Sequence, residues 1–290
     1  MNIKKRVSVH NRFDIEVRDK ETGELKQKGV AENMILNRAY NRICNFATYF
    51  EYIHFGTGTG TPTPERTTLF TPLGYKAVTV DEKVKEYPIS KVTKKITLAP
   101  EEYVGQTITE VGISEATNAI NTHALIKDSE GNPLSITKTD LDVLIIYATV
   151  FIELQDTNDI TFSKYPSNSL TNYFIDGSTM NPNLTLGDIG EPTPMCTIGN
   201  VLGTVGLTKT VDVASKKVSF ATRLGIDAGN YDIRELALGD ICRVNLEDTI
   251  AWNPINLTDI SIGTGDGETT TFDLGRYDTS NVVIKVNGDV

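Results

Sequence analysis

The side chains that could do chemistry are few, and their spacing is the first thing to test. Neither His10, His54 nor His123 has a second His or Cys at the interval a metal site uses. A hydrolase needs a nucleophile beside a base, a metal cluster, or two carboxylates across a cleft, and none of these patterns stands out. No Gly-x-Ser-x-Gly turn is present. His54 lies between Ile53 and Phe55, so on a strand it points away from them and reads as a surface or pairing residue rather than a base. Cys44, Cys196 and Cys242 are too few and too scattered for a disulfide framework or zinc, and read as small buried residues. Asp128, Glu130, Asp266 and Glu268 sit at turn sequences and could offer oxygens to calcium. Their spacing matches neither an EF-hand nor a nonapeptide calcium repeat, so they read as solvated hairpin tips. Glu110 and Glu235 hold equivalent places in two similar stretches, each among strand residues. They are read as carboxylates that brace a turn or pair with a nearby Lys or Arg. No catalytic, cofactor-binding or metal-binding residue is therefore assigned.

Those two stretches belong to a larger recurrence. Residues 53–64 read IHFGTGTGTPTP, and residues 184–194 read LTLGDIGEPTP. Alternating apolar residues that run into Gly and then Pro describe a strand leaving a sheet. A dinucleotide loop would have to enter a helix directly, whereas Pro62 and Pro64 force the residues before them into extended geometry. The glycine-rich loop is thus a structural corner, and any function it has is contact with a neighbouring subunit.

Around these corners the pattern predicts strands. Val7, Val9, Phe13, Ile15 and Val17 alternate, a polar turn centres on Gly23, and residues 25–35 return as the second arm of a hairpin. Asn37 is expected to cap a helix reaching about Phe50, the one substantial helix of the chain. Residues 66–74 read as a loop anchored by Leu69, Phe70 and Leu73. Strands are predicted in 76–87 and at 94–98, 107–113, 124–127 and 143–154. The last has apolar residues on both faces, as a strand covered on both sides would.

Residues 94–98 match 216–220, and 108–113 match 233–238, in the same order as the glycine corners. A shared order with drifting offsets signals duplication of one β unit. The expected fold is mainly β, with two duplicated β-sandwich-like modules. Residues 1–155 form a first domain with the hairpin and short helix, and 156–255 form its repeat. From Trp252 the character changes, and 256–290 open a distal β module or fibre shaft; Asn287-Gly288 is a hairpin turn that points to a longer protein.

The net charge of -10 argues against nucleic acid as the main partner, since duplex binding needs a concentrated cationic face. The first fifty residues are nonetheless basic, with ten Lys and Arg against six Asp and Glu. No signal peptide opens the sequence, and its longest apolar run, 143–154, falls short of the roughly 18 residues that span a membrane.

Taken together, the turn DKETGE at 19–24, Asn33, FGTGTGTPTPERTTLF at 55–70, TITEVGIS at 107–114, THALIKDSEGNPLSITKT at 122–139 and VLIIYATVFIEL at 143–154 resemble phage tail fibre and baseplate-associated proteins. The likeness is to phages and phage-tail-like bacteriocins of Gram-positive hosts. GTGDGETTTFDL at 263–274 and VVIKVNG at 282–288 are similar to the short β modules that follow such N-terminal regions. The resemblance implies a non-enzymatic virion structural protein of the tail, a homotrimer assembled in the host cytoplasm. Its N-terminal domains would attach to tail or baseplate proteins, and its distal part would support recognition of a host surface glycan. Alternatives are a head, neck or collar fibre, a glycan-degrading spike, and a carbohydrate-binding module outside any virion. The basic first fifty residues are the expected virion-facing end, and deleting residues 1–35 is expected to abolish incorporation while leaving the remainder soluble.

Overall fold

The computed structural model describes residues 6–156, 160–188, 198, 200–222 and 232–251. The first part of the chain runs β1 (Arg6–Asp19), β2 (Leu25–Glu32), β3 (Met34–Ile35), helix α1 (Asn37–Cys44), β4 (Tyr52–Gly56), β5 (Pro72–Ala77), β6 (Thr79–Val84), β7 (Ile89–Leu98), β8 (Thr107–Ile108), β9 (Glu110–Ser114), β10 (Thr122–Leu125), β11 (Ile136–Thr137) and β12 (Asp142–Gln155). The second runs β13 (Ile160–Phe162), α2 (Ser169–Asp176), β14 (Leu184–Asp188), β15 (Asn200–Val205), β16 (Thr208–Asp212), β17 (Lys217–Ala221), β18 (Asp232–Leu238) and β19 (Cys242–Ala251). The fold is mainly β, as expected, and every named strand pairing is antiparallel.

Alternation builds the first sheet, ordered β2-β1-β12-β7-β6. On β1, Phe13, Ile15 and Val17 turn inward and are buried, while Arg12, Asp14, Glu16 and Arg18 turn outward and pair along the strand, Arg12 to Asp14 at 2.9 Å and Arg18 to Glu16 at 2.7 Å. The turn into β2 is closed by the Asp19 carboxylate, which accepts the Glu21 and Thr22 amides at 3.0 Å each, with Gly23 at φ 72°. The returning arm does not run straight to Ile35. It leaves the sheet after Glu32, where the Asn33 side chain donates to Asn11, and β3 joins the opposing sheet beside β10.

That opposing sheet is ordered β3-β10-β9-β4-β5. Phe13, Ile96 and Ile146 of the first sheet and Ile53, Phe55, Val111 and Ile113 of the second belong to one buried core, a sandwich arrangement. The long strand β12 is buried along one face, and on the other only Thr149 is buried. Its other face carries Val143, Ile145, Tyr147 and Phe151, half-exposed and sheltered by side chains instead of a further layer. His10 stacks on Phe151 at 4.5 Å, and the Lys95 ammonium lies over the Tyr147 ring at 5.8 Å.

Because β1 is hydrogen-bonded on both sides and runs the length of β12, the hairpin is core. This corrects the reading of residues 1–35 as dispensable for solubility. A chain lacking them loses Phe13, Ile15, Val17 and Ala31 from the core and bares an edge of β12. We expect it to sediment with the insoluble fraction when expressed; a soluble, folded fragment would refute this.

The five-stranded sheet of the second part reads β13-β19-β18-β14-β15. Place by place this is the order of β3-β10-β9-β4-β5: the strand before the helix, the last strand, the one preceding it, the strand after the helix, and its successor. The repeat includes a helix, so α1 is not the one substantial helix. Both have eight residues. Nor does Asn37 cap α1. It is the first helical residue, its amide donates to Pro64, and Leu36 holds the cap position without a side-chain bond. The capping asparagine is Asn168 of α2, whose side chain accepts the Leu170 amide at 2.8 Å, and Gly177 in the left-handed region ends that helix.

The two parts meet without a break in the core. Tyr49 and Phe50 of the first and Tyr173, Phe174 and Ile175 of the second lie in the same buried cluster. The Tyr173 hydroxyl donates to the Ala47 carbonyl at 2.8 Å, and its ring meets Phe46 edge-on at 5.7 Å. Outside this aromatic joint, Lys83 pairs with Asp176 at 2.8 Å and Lys85 reaches both Asp176 and Asn172. Cys44 and Cys242 are buried thiols, while Cys196, Trp252, Asp266, Glu268 and the 256–290 module lie outside the described residues.

Candidate functional site

The glycine corner and Glu110 form one structure. Strand β4 ends at Gly56 directly opposite Glu110 on β9, and the chain then loops over the carboxylate before returning as β5. Oε1 of Glu110 accepts the amides of Gly58 and Thr71, both at 2.8 Å. Oε2 accepts the Phe70 amide at 2.9 Å and His123 Nε2 at 2.7 Å. Thr109, between β8 and β9, adds its own amide to the Gly56 carbonyl at 2.9 Å and its hydroxyl to the Gly58 carbonyl at 2.7 Å. The two ends of the loop, 56–58 and 70–71, are thus latched onto one buried carboxylate.

This accounts for the glycines. A Cβ on Gly56 would sit 2.6 Å from Glu110 Oε1, and one on Gly58 would sit 2.2 Å from Cβ of Phe70 and 2.6 Å from the same oxygen. Only a residue without a side chain lets the loop close on the latch. Above it, the Phe70 ring lies 5.0 Å from the His123 ring, and the Arg66 guanidinium covers Phe70 at 3.7 Å.

Glu110 and His123 are both fully buried. Burial pushes the Glu110 carboxyl up, but the bonds from His123 and from the Thr71, Phe70 and Gly58 amides outweigh it and hold the group below its ordinary value. A carboxyl whose pKa falls on folding contributes stability above its unfolded value, about 4.3, and that contribution disappears as pH drops through the lower folded value. We therefore expect the melting temperature of the wild-type chain to lose this share only below about pH 4, and the acid limb to be shallower in Glu110→Gln. Parallel limbs in a pH series of thermal melts would contradict the assignment.

The second copy repeats the pairing of glycine and glutamate with a different partner for the acid. Gly187 of β14 lies opposite Glu235 of β18, where a Cβ would come within 2.8 Å of Glu235 Oε1. The partner on the next strand is Arg243, its guanidinium 2.5 Å from the carboxylate and both side chains nearly inaccessible. His123 stands on β10 and Arg243 on β19, the corresponding strands of the two sheets. Each copy therefore joins a glycine, a glutamate and a nitrogen-bearing side chain, His123 or Arg243, across three adjacent strands.

As chemistry, the latch has no outlet. All the acceptor capacity that Glu110 turns toward the protein is occupied by its own backbone and His123, and Phe70 and Arg66 cover the pair. His54 is buried rather than superficial, and it pairs: Nε2 lies 2.8 Å from Ser114 Oγ and 2.9 Å from the Ala116 carbonyl. A carbonyl can only accept, so Nε2 carries the proton and offers Ser114 no lone pair for deprotonation. Burial also pulls the His54 pKa down. His10 is exposed on the first sheet, remote in sequence and sheet from both. The acids at the 128–132 tip bond locally, Asp128 accepting the Glu130 and Asn132 amides at 2.9 Å each. No group of three or more His, Cys, Asp or Glu side chains suited to a metal occurs among the described residues.

Nothing in the residue pattern marks Lys138, which is fully buried and donates to the Pro100 carbonyl at 2.7 Å, tying the 99–106 turn to the approach to β12. Two hollows among the described residues hold about 10 Å³ each, room for a single water. Among the same residues, no helix is long and apolar enough to cross a membrane. Compared with protein-family models, with curated proteins and with solved structures, the chain finds no match.

Proposed function

We propose that this chain is a non-enzymatic structural protein of a phage tail, a fibre or baseplate-attached fibre whose N-terminal β domains, 1–155 and 156–255, anchor to tail proteins and support host recognition by a distal part. In this reading it works as a homotrimer within the virion, and a host surface glycan is met beyond residue 255. The observation that carries the reading is the use of the buried acids: a glutamate that could have faced a substrate is held by the protein itself in both copies, Glu110 by the amides of its own corner and Glu235 by Arg243. The uninterrupted core across the joint supports the same view, since a spacer must transmit position from one end to the other. The resemblance of residues 55–70 and 107–154 to tail fibre and baseplate-associated sequences supplies the virion context.

The experiment is to label intact particles with an antibody raised against residues 1–155 and image them. Label at the baseplate, in three copies per fibre, is the expected result. Label at the neck would replace it with the collar reading, and unlabelled particles would overturn the virion assignment. Incubating purified protein with host wall polymer should leave its viscosity unchanged; a fall would establish the spike reading instead.

A further inference from the structure

The contacts across the joint come in matched pairs. Strands β6 and β7 form an antiparallel pair in the first copy, and β16 and β17, which hold the matching places, form one in the second. Each hairpin has one lysine on its first strand, Lys83 or Lys209, and one in its turn, Lys85 or Lys216. Both sets of lysines reach the end of the helix in the other copy. Lys83 meets Asp176, the last residue of α2, at 2.8 Å, and Lys209 donates at 3.3 Å to the carbonyl of Asn45, the residue that follows α1. Lys85 donates at 2.7 Å to Asn172, the fourth residue of α2, and the Lys216 ammonium lies 4.1 Å from the ring of Tyr40, the fourth residue of α1. The apolar contacts follow the same exchange. Helix α2 packs on β7, and Phe46, just beyond α1, stacks on Phe220 of β17 at 6.2 Å.

What the first copy does to the second, the second therefore does to the first. Such reciprocity belongs to an isologous interface, where one surface meets its own likeness about a two-fold axis. A head-to-tail arrangement would bring one hairpin to the next helix and leave the other hairpin and helix unmatched. The chosen positions also make physical sense. The last turn of a helix presents carbonyls without helical partners and the negative end of the dipole, both of which favour a lysine. The residue four places earlier lies on the same face, where Asn172 offers an oxygen and Tyr40 a ring. We propose that the joint is a fused dimer interface about an approximate two-fold axis. The helix end and hairpin of each copy form a surface that fits a second unit of this same fold, and it holds the copies together without the peptide between them. The lysines set its register, while Tyr49, Tyr173 and Phe174 supply the buried contact. This inference is independent of the virion reading.

Cutting the link in the 290-residue chain tests it. With a protease site inserted after Asn158 and cleaved, the two halves should sediment as one particle at about 1 µM. Lys83→Glu with Lys85→Glu, and Lys209→Glu with Lys216→Glu, should each weaken the association by about tenfold, and all four together by about a hundredfold. Lys28→Glu, an exposed position beside Asp14 on the first sheet, should leave it unchanged. Halves that separate at that concentration would overturn the proposal, because the peptide would then be what holds the copies. So would a loss confined to one set of lysines, which a two-fold contact forbids, or an equal loss in Lys28→Glu, which would reduce the effect to overall charge.

Discussion

Replacing Glu110 by alanine is expected to lower the stability of the folded chain by about 3 to 5 kcal/mol. The change removes the acceptor of three loop amides, Gly58, Phe70 and Thr71, and of His123, in a site of zero exposure. Each buried donor left unpaired costs about 1 to 3 kcal/mol, and relaxation of the loop limits the total. Glutamine discriminates this account from simple loss of volume. It keeps one acceptor for Gly58 and Thr71, and His123 can change tautomer to accept from the new amide. The Phe70 amide is then orphaned, and the His123 proton moves to Nδ1, a buried atom with no partner in either tautomer, so Glu110→Gln should cost about 1 to 3 kcal/mol. Urea unfolding of the three proteins measures both; alanine and glutamine variants of equal stability would mean that the latch is not what holds the corner.

The second large effect is at the joint. Tyr173→Ala deletes a ring packed against Phe46, Tyr49 and Phe174, together with the bond to the Ala47 carbonyl. A loss of about 3 to 5 kcal/mol follows from the cavity alone. The more informative result is the shape of the transition. With the core continuous, both parts should melt together; with Tyr173 removed, calorimetry should resolve two transitions. Tyr173→Phe keeps the ring and should cost only about 1 kcal/mol, with a single transition. Two transitions already present in the wild-type chain would show that the shared core does not couple the parts.

Much of this was legible in the sequence where burial is one-sided. The β1 hairpin and β12 show their alternation because one face meets the core and the other meets solvent or charged neighbours. The first half of β5 falls in the 66–74 stretch that reads as loop because Pro72 and Gly74 interrupt it; it is an edge strand, where both are tolerated. The helix α2 was missed for a different reason. Its interior residues Thr171, Tyr173, Phe174 and Ile175 are all buried and strand-like in composition, so no polar stripe betrays a helical period. Asn168 and Gly177 were its local signals, and the duplication itself predicted it, since α1 precedes the first glycine corner as α2 precedes the second. At the site, the repeated position of Glu110 and Glu235 was visible. His123 and Arg243 were not, because they reach the acid from the neighbouring strand, and only the pairing of β9 with β10 and of β18 with β19 brings them there.

The register of β1 on β12 has a mechanical consequence. Arg6 faces Gln155 and Asp19 faces Asp142, so the chain enters the first copy and leaves it at the same end of the sheet. Tension applied at the leading peptide and at residue 156 would load the Arg6–Gln155 end alone and peel the ladder one rung at a time. Tension applied at the 19–24 turn and at residue 156 would pull the same two strands past each other, with all rungs sharing the load. In optical-tweezer pulling the first geometry should yield at clearly lower force than the second, and equal forces would show that another element bears the strain. A tether made through the first few residues would therefore open like a zip. A fibre that must hold under load is better gripped by the faces of this sheet than by the thread that leads into it.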